Sequence, residues 1–235
     1  MLVSVHLPKT AGTSFGQSLA DHFGDRLLRD YEDAPLNTAP MRRKVSAALG
    51  GLRSGVTALR RFDCVHGHFL AGKYVPLRLR RPVRFVTWMR DPVERLASHY
   101  EFWRRSYDPL RSLPLHRRVV EEDWPFERFY RSPEMRDVYS QFLWRFDLSN
   151  FDFIGITEHY EADFSFFAAT FLGTSPSAHR VETNAGRGTA PYVTDPSLRA
   201  EIEGVHRNDM LLYRRALDLR RRTRGSIDST RPAGC

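Results

Sequence analysis

Apolar positions along this chain come in short runs that switch between two periods. Val3-Ser4-Val5-His6-Leu7 is apolar at every second residue and stops at Pro8, the pattern of a β-strand. Phe15-Gly16-Gln17-Ser18-Leu19-Ala20 then repeats at helical spacing. Phe62–His66 and Phe151–Ile156 read as further short strands, and Pro82–Met89 as a buried one rich in β-branched and aromatic residues. Helices are predicted over Met41–Leu49, Pro92–Tyr100, Trp124–Arg131, Pro133–Arg145 and Tyr160–Leu172, with a long final helix from Pro196 to about Arg222. Asp91 and Asp195 each precede a proline, which places them as N-caps with proline at the first helical position, and Glu94 follows at the third. Asp25–Arg61 carries three turn-forming clusters and reads as a surface excursion, and Val181–Tyr192 as a loop. Strands alternating with helices predict an α/β fold. The expectation is a single domain over 1–222, its central, mainly parallel sheet flanked by helices, and a flexible tail over 223–235.

The totals fit that reading. At 235 residues, 41% of them hydrophobic and 27% charged, the chain can bury one sizeable core. No apolar run has the length of a bilayer span, and the first residues read as a strand instead of a signal peptide. A cytoplasmic protein without a membrane span is therefore expected. Cys64, in a buried strand, and Cys235 give neither a disulfide framework nor a metal cluster. The net charge of +8 points to an anionic ligand, nucleic acid or an acidic surface. Arg220, Arg221, Arg222 and Arg224 account for part of it, at a helix end where basic residues suit the macrodipole. The other arginines are scattered and no nucleic-acid motif accompanies them, so a nucleic-acid partner is not expected.

Candidate chemistry gathers at two strand ends. Pro8–Ser14 joins the first strand to a helix, with Lys9 as a point charge and the hydroxyls of Thr10, Thr13 and Ser14 beside small Ala11 and Gly12. Strand, tight loop and helix N-terminus form a general anion cradle. The lysine precedes the glycine, so the spacing is not that of a Walker A loop. An ordinary turn capped by Thr13 or Ser14 is the alternative. After the Trp88 strand, Arg90 can fork two N–H bonds onto a phosphate, and Ser98 lies about two turns into the following helix. The competing reading pairs Arg90 with Asp91 or Glu94. His66-Gly67-His68 ends another strand, and a histidine titrating near neutral pH suits a general base. Two other readings of this pair, metal ligands or structural histidines bonded to backbone, stay open.

Together these stretches resemble a known family. His6-Leu7-Pro8-Lys9-Thr10-Ala11-Gly12-Thr13-Ser14 is similar to the 5′-phosphosulfate loop of sulfotransferases, in the branch that includes heparan sulfate 2-O-sulfotransferase. Met89–Tyr100 resembles that family's 3′-phosphate motif, and weaker similarities run through Val65–His68, Phe153–Glu158 and Asn208–Tyr213. The resemblance implies a P-loop-like sulfotransferase fold binding 3′-phosphoadenosine 5′-phosphosulfate (PAPS), with adenosine 3′,5′-bisphosphate as product and no metal ion. By it, Lys9 contacts the phosphosulfate, Thr10 to Ser14 wrap the 5′ side, and Arg90 and Ser98 hold the 3′-phosphate. His68 is the base and His66 an assisting residue. Arg180, Asn184 and Arg187 fall in a loop that family members bring to nucleotide or acceptor. Asp25–Arg61 and Leu110–Arg145 do not match the family's glycosaminoglycan-binding segments. The acceptor hydroxyl therefore stays open between glycan, lipid and secondary metabolite. A P-loop kinase or NTPase, with Asp91 as the metal-binding acid, and a non-catalytic polyanion-binding protein are the competing functions.

Overall fold

Among the described residues five short strands form one all-parallel sheet in the order β2-β3-β1-β4-β5: β1 (Leu2–Val5), β2 (Leu27–Asp30), β3 (Cys64–Gly67), β4 (Arg84–Met89) and β5 (Phe153–Ile156). The computed structural model describes residues 1–45, 61–174 and 190–228, with side chains to Thr223. Alternation along the strands sorts side chains onto two faces. Leu2, Cys64, Val86, Trp88 and Phe153 pack against α1 (Gly12–Phe23) on one side, where the phenylalanine-rich helix at Tyr160–Phe167 also lies. Val3, Val5, Val65, Phe85, Met89, Ile154 and Ile156 face the larger core on the other. That core is roofed by α2 (Pro92–Arg105), α3 (Pro114–Glu121), α4 (Phe126–Arg131) and α5 (Val138–Phe142), together with the C-terminal helices. With the Tyr160–Phe167 helix numbered α6, the last two are α7 (Pro196–Val205) and α8 (Arg207–Asp228). Among the described residues no helix is long and apolar enough to cross a membrane.

Several expected elements are redrawn. Residues 27–30, expected within a surface excursion, form edge strand β2. Its Leu-Leu-Arg-Asp sequence has no alternation, because Leu27 packs against the core on the α1 side and Leu28 against the larger core on the other face. Residues 40–45 are helical, and the rest of the helix expected over Met41–Leu49 lies outside the described residues. Pro114 starts α3, which the sequence reading left out, and its Leu115 and Val119 bury one apolar stripe. The helix expected over Pro133–Arg145 shrinks to α5, which starts only after left-handed Asp137 (φ 47°) and ends with Leu143 as its C-cap, short of left-handed Arg145 (φ 56°). Tyr160–Leu172 is helical but ends in a π-helical turn over Ala168–Leu172. The long final helix is two helices broken at His206, the second running to Asp228, past the expected end near Arg222.

Candidate active site

The chain leaves β1 toward β2 on one side of the sheet and leaves β4 toward β5 on the other. A crevice at the carboxyl ends of β1 and β4 is the topological consequence, and ligands of open parallel sheets bind there. Pro8–Ser14 and Arg90–Ser98 flank it. Lys9 (φ 63°) and Ala11 (φ 61°) both adopt the left-handed region, which costs a non-glycine residue roughly 1–2 kcal/mol. The Thr10 hydroxyl donates to the Leu7 carbonyl at 2.8 Å and so braces the loop; only its amide is left to face a ligand. Neither Thr13 nor Ser14 caps α1: its N-cap is Ala11, which offers no side-chain acceptor. The first N–H groups of α1 are thus open, and the Thr13 and Ser14 hydroxyls carry no hydrogen bond among the described residues. Gly12 has an ordinary φ. What it supplies is space, since a Cβ there would stand 1.6 Å from His6 Nε2.

Asp91 caps α2 as expected, accepting from the Val93 and Glu94 N–H groups. Its second oxygen takes Arg199, while Glu94 accepts from the Tyr192 and Val193 N–H groups. Both carboxylates beside Arg90 are therefore occupied, and Arg90 forms no ion pair among the described residues. Its guanidinium lies 5.4 Å from the Tyr192 ring centroid. Tyr139 holds the Arg90 backbone from both sides, donating to its carbonyl at 2.6 Å and accepting from its N–H at 3.0 Å. Ser98 is buried with its hydroxyl unbonded among the described residues. Burial, with Arg90 and Arg105 nearby, pushes the Lys9 ammonium down to about 8. Arg105, which the sequence reading passed over, is signalled by its spacing, seven residues after Ser98 on one face of α2.

Parallel register assembles the histidines. Ser4 pairs with His66 and Val5 with Gly67, so His6 and His68 emerge side by side just past the ladder. Ser4 Oγ bonds His66 Nδ1 at 2.8 Å, and His68 Nδ1 lies 2.6 Å from the His6 carbonyl. A carbonyl only accepts, so Nδ1 carries the proton and His68 Nε2 keeps its lone pair. His6 stacks on both of the other rings, 4.2 Å from His68 and 5.0 Å from His66. Tyr31 bonds its Nδ1 at 3.1 Å and stands edge-on to His68 at 5.0 Å. Burial lowers all three imidazoles, His66 to about 3, so each is neutral at pH 7. His66 is 2% exposed and sealed under α1, with Nε2 unpartnered; His68 is half-buried. His99 is buried against Trp103.

A scan against protein-family models returns no match, and no curated protein matches the sequence. One further cluster has metal-compatible residue types: Asp137, His206 and Asp209. Their ligand atoms are already in use. His206 donates from Nε2 to the Tyr130 carbonyl and accepts at Nδ1 from the Asp137 N–H. Asp209 accepts from the Tyr139 and Ser140 N–H groups, and Asp137 from Asn208 and the Asp209 N–H. This is a helix-joining network. Arg180, Asn184 and Arg187 lie outside the described residues.

Proposed function

We propose that this chain is a sulfotransferase that moves a sulfuryl group from PAPS to an acceptor hydroxyl. One observation carries the reading: cations with no carboxylate partner among the described residues and a histidine with an Nε2 lone pair occupy adjoining strand ends. The resemblance of the two loops to sulfotransferase motifs agrees with it. Lys9 and the open N–H groups of α1 suit the 5′-phosphosulfate, and Arg90 and Ser98 suit the 3′-phosphate. As the acceptor oxygen bonds to sulfur, its proton passes to His68 Nε2. The bond from sulfur to the phosphate oxygen breaks in line, and Lys9 offsets the charge left on that oxygen. His66, buried and held near pKa 3, supports the ring stack and takes no proton from the acceptor.

The kinase or NTPase reading needs Asp91 as a metal-binding acid, yet that carboxylate caps α2 and binds Arg199. A polyanion-binding protein would use the same cations but gives His68 no task. Calorimetry tests the proposal: adenosine 3′,5′-bisphosphate should bind tighter than ADP, which lacks the 3′-phosphate. Equal affinities would overturn it. Screening hydroxyl acceptors with labelled PAPS, with and without EDTA, then identifies the acceptor class and tests the expectation of metal-free transfer.

A further inference from the structure

The Lys9 ammonium rests on the ring face of Phe102, 3.8 Å from the centroid. Phe102 is 41% exposed and follows Ser98 by four residues on α2, with Arg105 three further on, so the three share one face. The charged and titratable groups facing Lys9 are Arg90 from the end of β4, Arg105 from α2, and the imidazoles of His6 and His99. None is an anion, and no carboxylate pairs with Lys9 among the described residues. Among the described residues the negative face of the Phe102 ring is the attractive contact it finds there. The left-handed backbone at Lys9 sets where the side chain leaves the loop.

We propose that Phe102 is the resting seat of Lys9, holding the ammonium charged until an anion draws it off. Phe102 is then a positioning residue that acts through Lys9. Only the identity of the anion rests on the sulfotransferase reading. Without the seat, the like charges of Arg90 and Arg105 favour a neutral amine, which would be useless to a departing phosphate.

The chain has three lysines, Lys9, Lys44 and Lys73, so selective ¹³C labelling gives three resolvable side-chain signals. Ring current should place the Lys9 ε-methylene protons upfield in the free protein, and adenosine 3′,5′-bisphosphate should return them to the ordinary position. Replacing Phe102 with 3,4,5-trifluorophenylalanine keeps the ring's shape but cancels its negative face. The Lys9 midpoint should fall by about half a pH unit, a roughly threefold loss of proton affinity, and Phe102→Trp should raise it. An unshifted Lys9 signal, or a titration indifferent to fluorination, overturns the proposal. A signal that answers to fluorination and leaves the ring for ADP as readily as for the bisphosphate keeps the seat and removes the sulfotransferase reading.

Discussion

Two polar clusters flank α2 and treat their charges in opposite ways. Around Asp137, His206 and Asp209 the donors and acceptors answer one another, and the cluster ties α4, α5, α7 and α8 together. Its loose end is Arg95, fully buried, with no hydrogen bond at any guanidinium nitrogen and the Tyr139 ring 5.5 Å away. At the strand ends the balance is missing: among the described residues Lys9 and Arg90 have no carboxylate partner, and the hydroxyls of Ser98, Thr13 and Ser14 carry no hydrogen bond. A satisfied buried network makes a rigid scaffold. Arg95 is sealed in the core, whereas Lys9 and Arg90 are half-buried at the strand ends, where something outside the chain can complete them, and that makes the second cluster the candidate site.

The largest effect should separate the clusters outright. His68→Ala should cost about 10²–10⁴-fold in single-turnover sulfuryl transfer and leave far-UV circular dichroism unchanged. A near-normal rate would move the base elsewhere. Lys9→Ala should follow at roughly 10²–10³-fold in kcat, with the melting temperature held or raised as a like charge leaves Arg90 and Arg105.

Stability against pH sharpens the contrast. His66 and His206 have folded values near 3 and 4, below the unfolded 6.5, so the stability they confer is complete above pH 6.5 and is lost as pH falls. Asp209 acts the other way: raised by burial to about 6, it confers stability that is lost as pH rises from about 4 to 6. The two partly cancel in the scaffold cluster, whereas nothing offsets His66. Urea unfolding from pH 6.5 to 4 should therefore show a loss to which the buried His6, His68 and His99 also contribute, and His66→Gln should remove up to about 3 kcal/mol of it. His206→Gln should leave most of that loss in place. The smallest effect joins the clusters. Tyr139→Phe should weaken bisphosphate binding by about tenfold, because the Arg90 backbone loses the hydroxyl that fixes it. Calorimetry giving wild-type affinity would show that Arg90 needs no such brace.

What local sequence could state, it stated well. The Asp91 cap and Pro92 start of α2 need partners only two or three residues away, and both formed as read. So did the strand ending at Met89 and the loop entering α1, where short-range sterics leave few choices. The sequence by itself determined an alternating α/β chain with basic and hydroxylated residues at two strand ends. Only the tertiary structure decided which of these groups are free. Register across β1 and β3 stacked His6 on two other imidazoles and turned His68 Nδ1 onto a backbone carbonyl. Arg199, more than a hundred residues away, took Asp91 and left Arg90 without an ion pair among the described residues. His206 broke the last helix because Tyr130 and Asp137 supplied partners for its ring. Each of these depends on contacts between distant segments, whose partners are selected by sheet order and packing and leave no local periodicity to read.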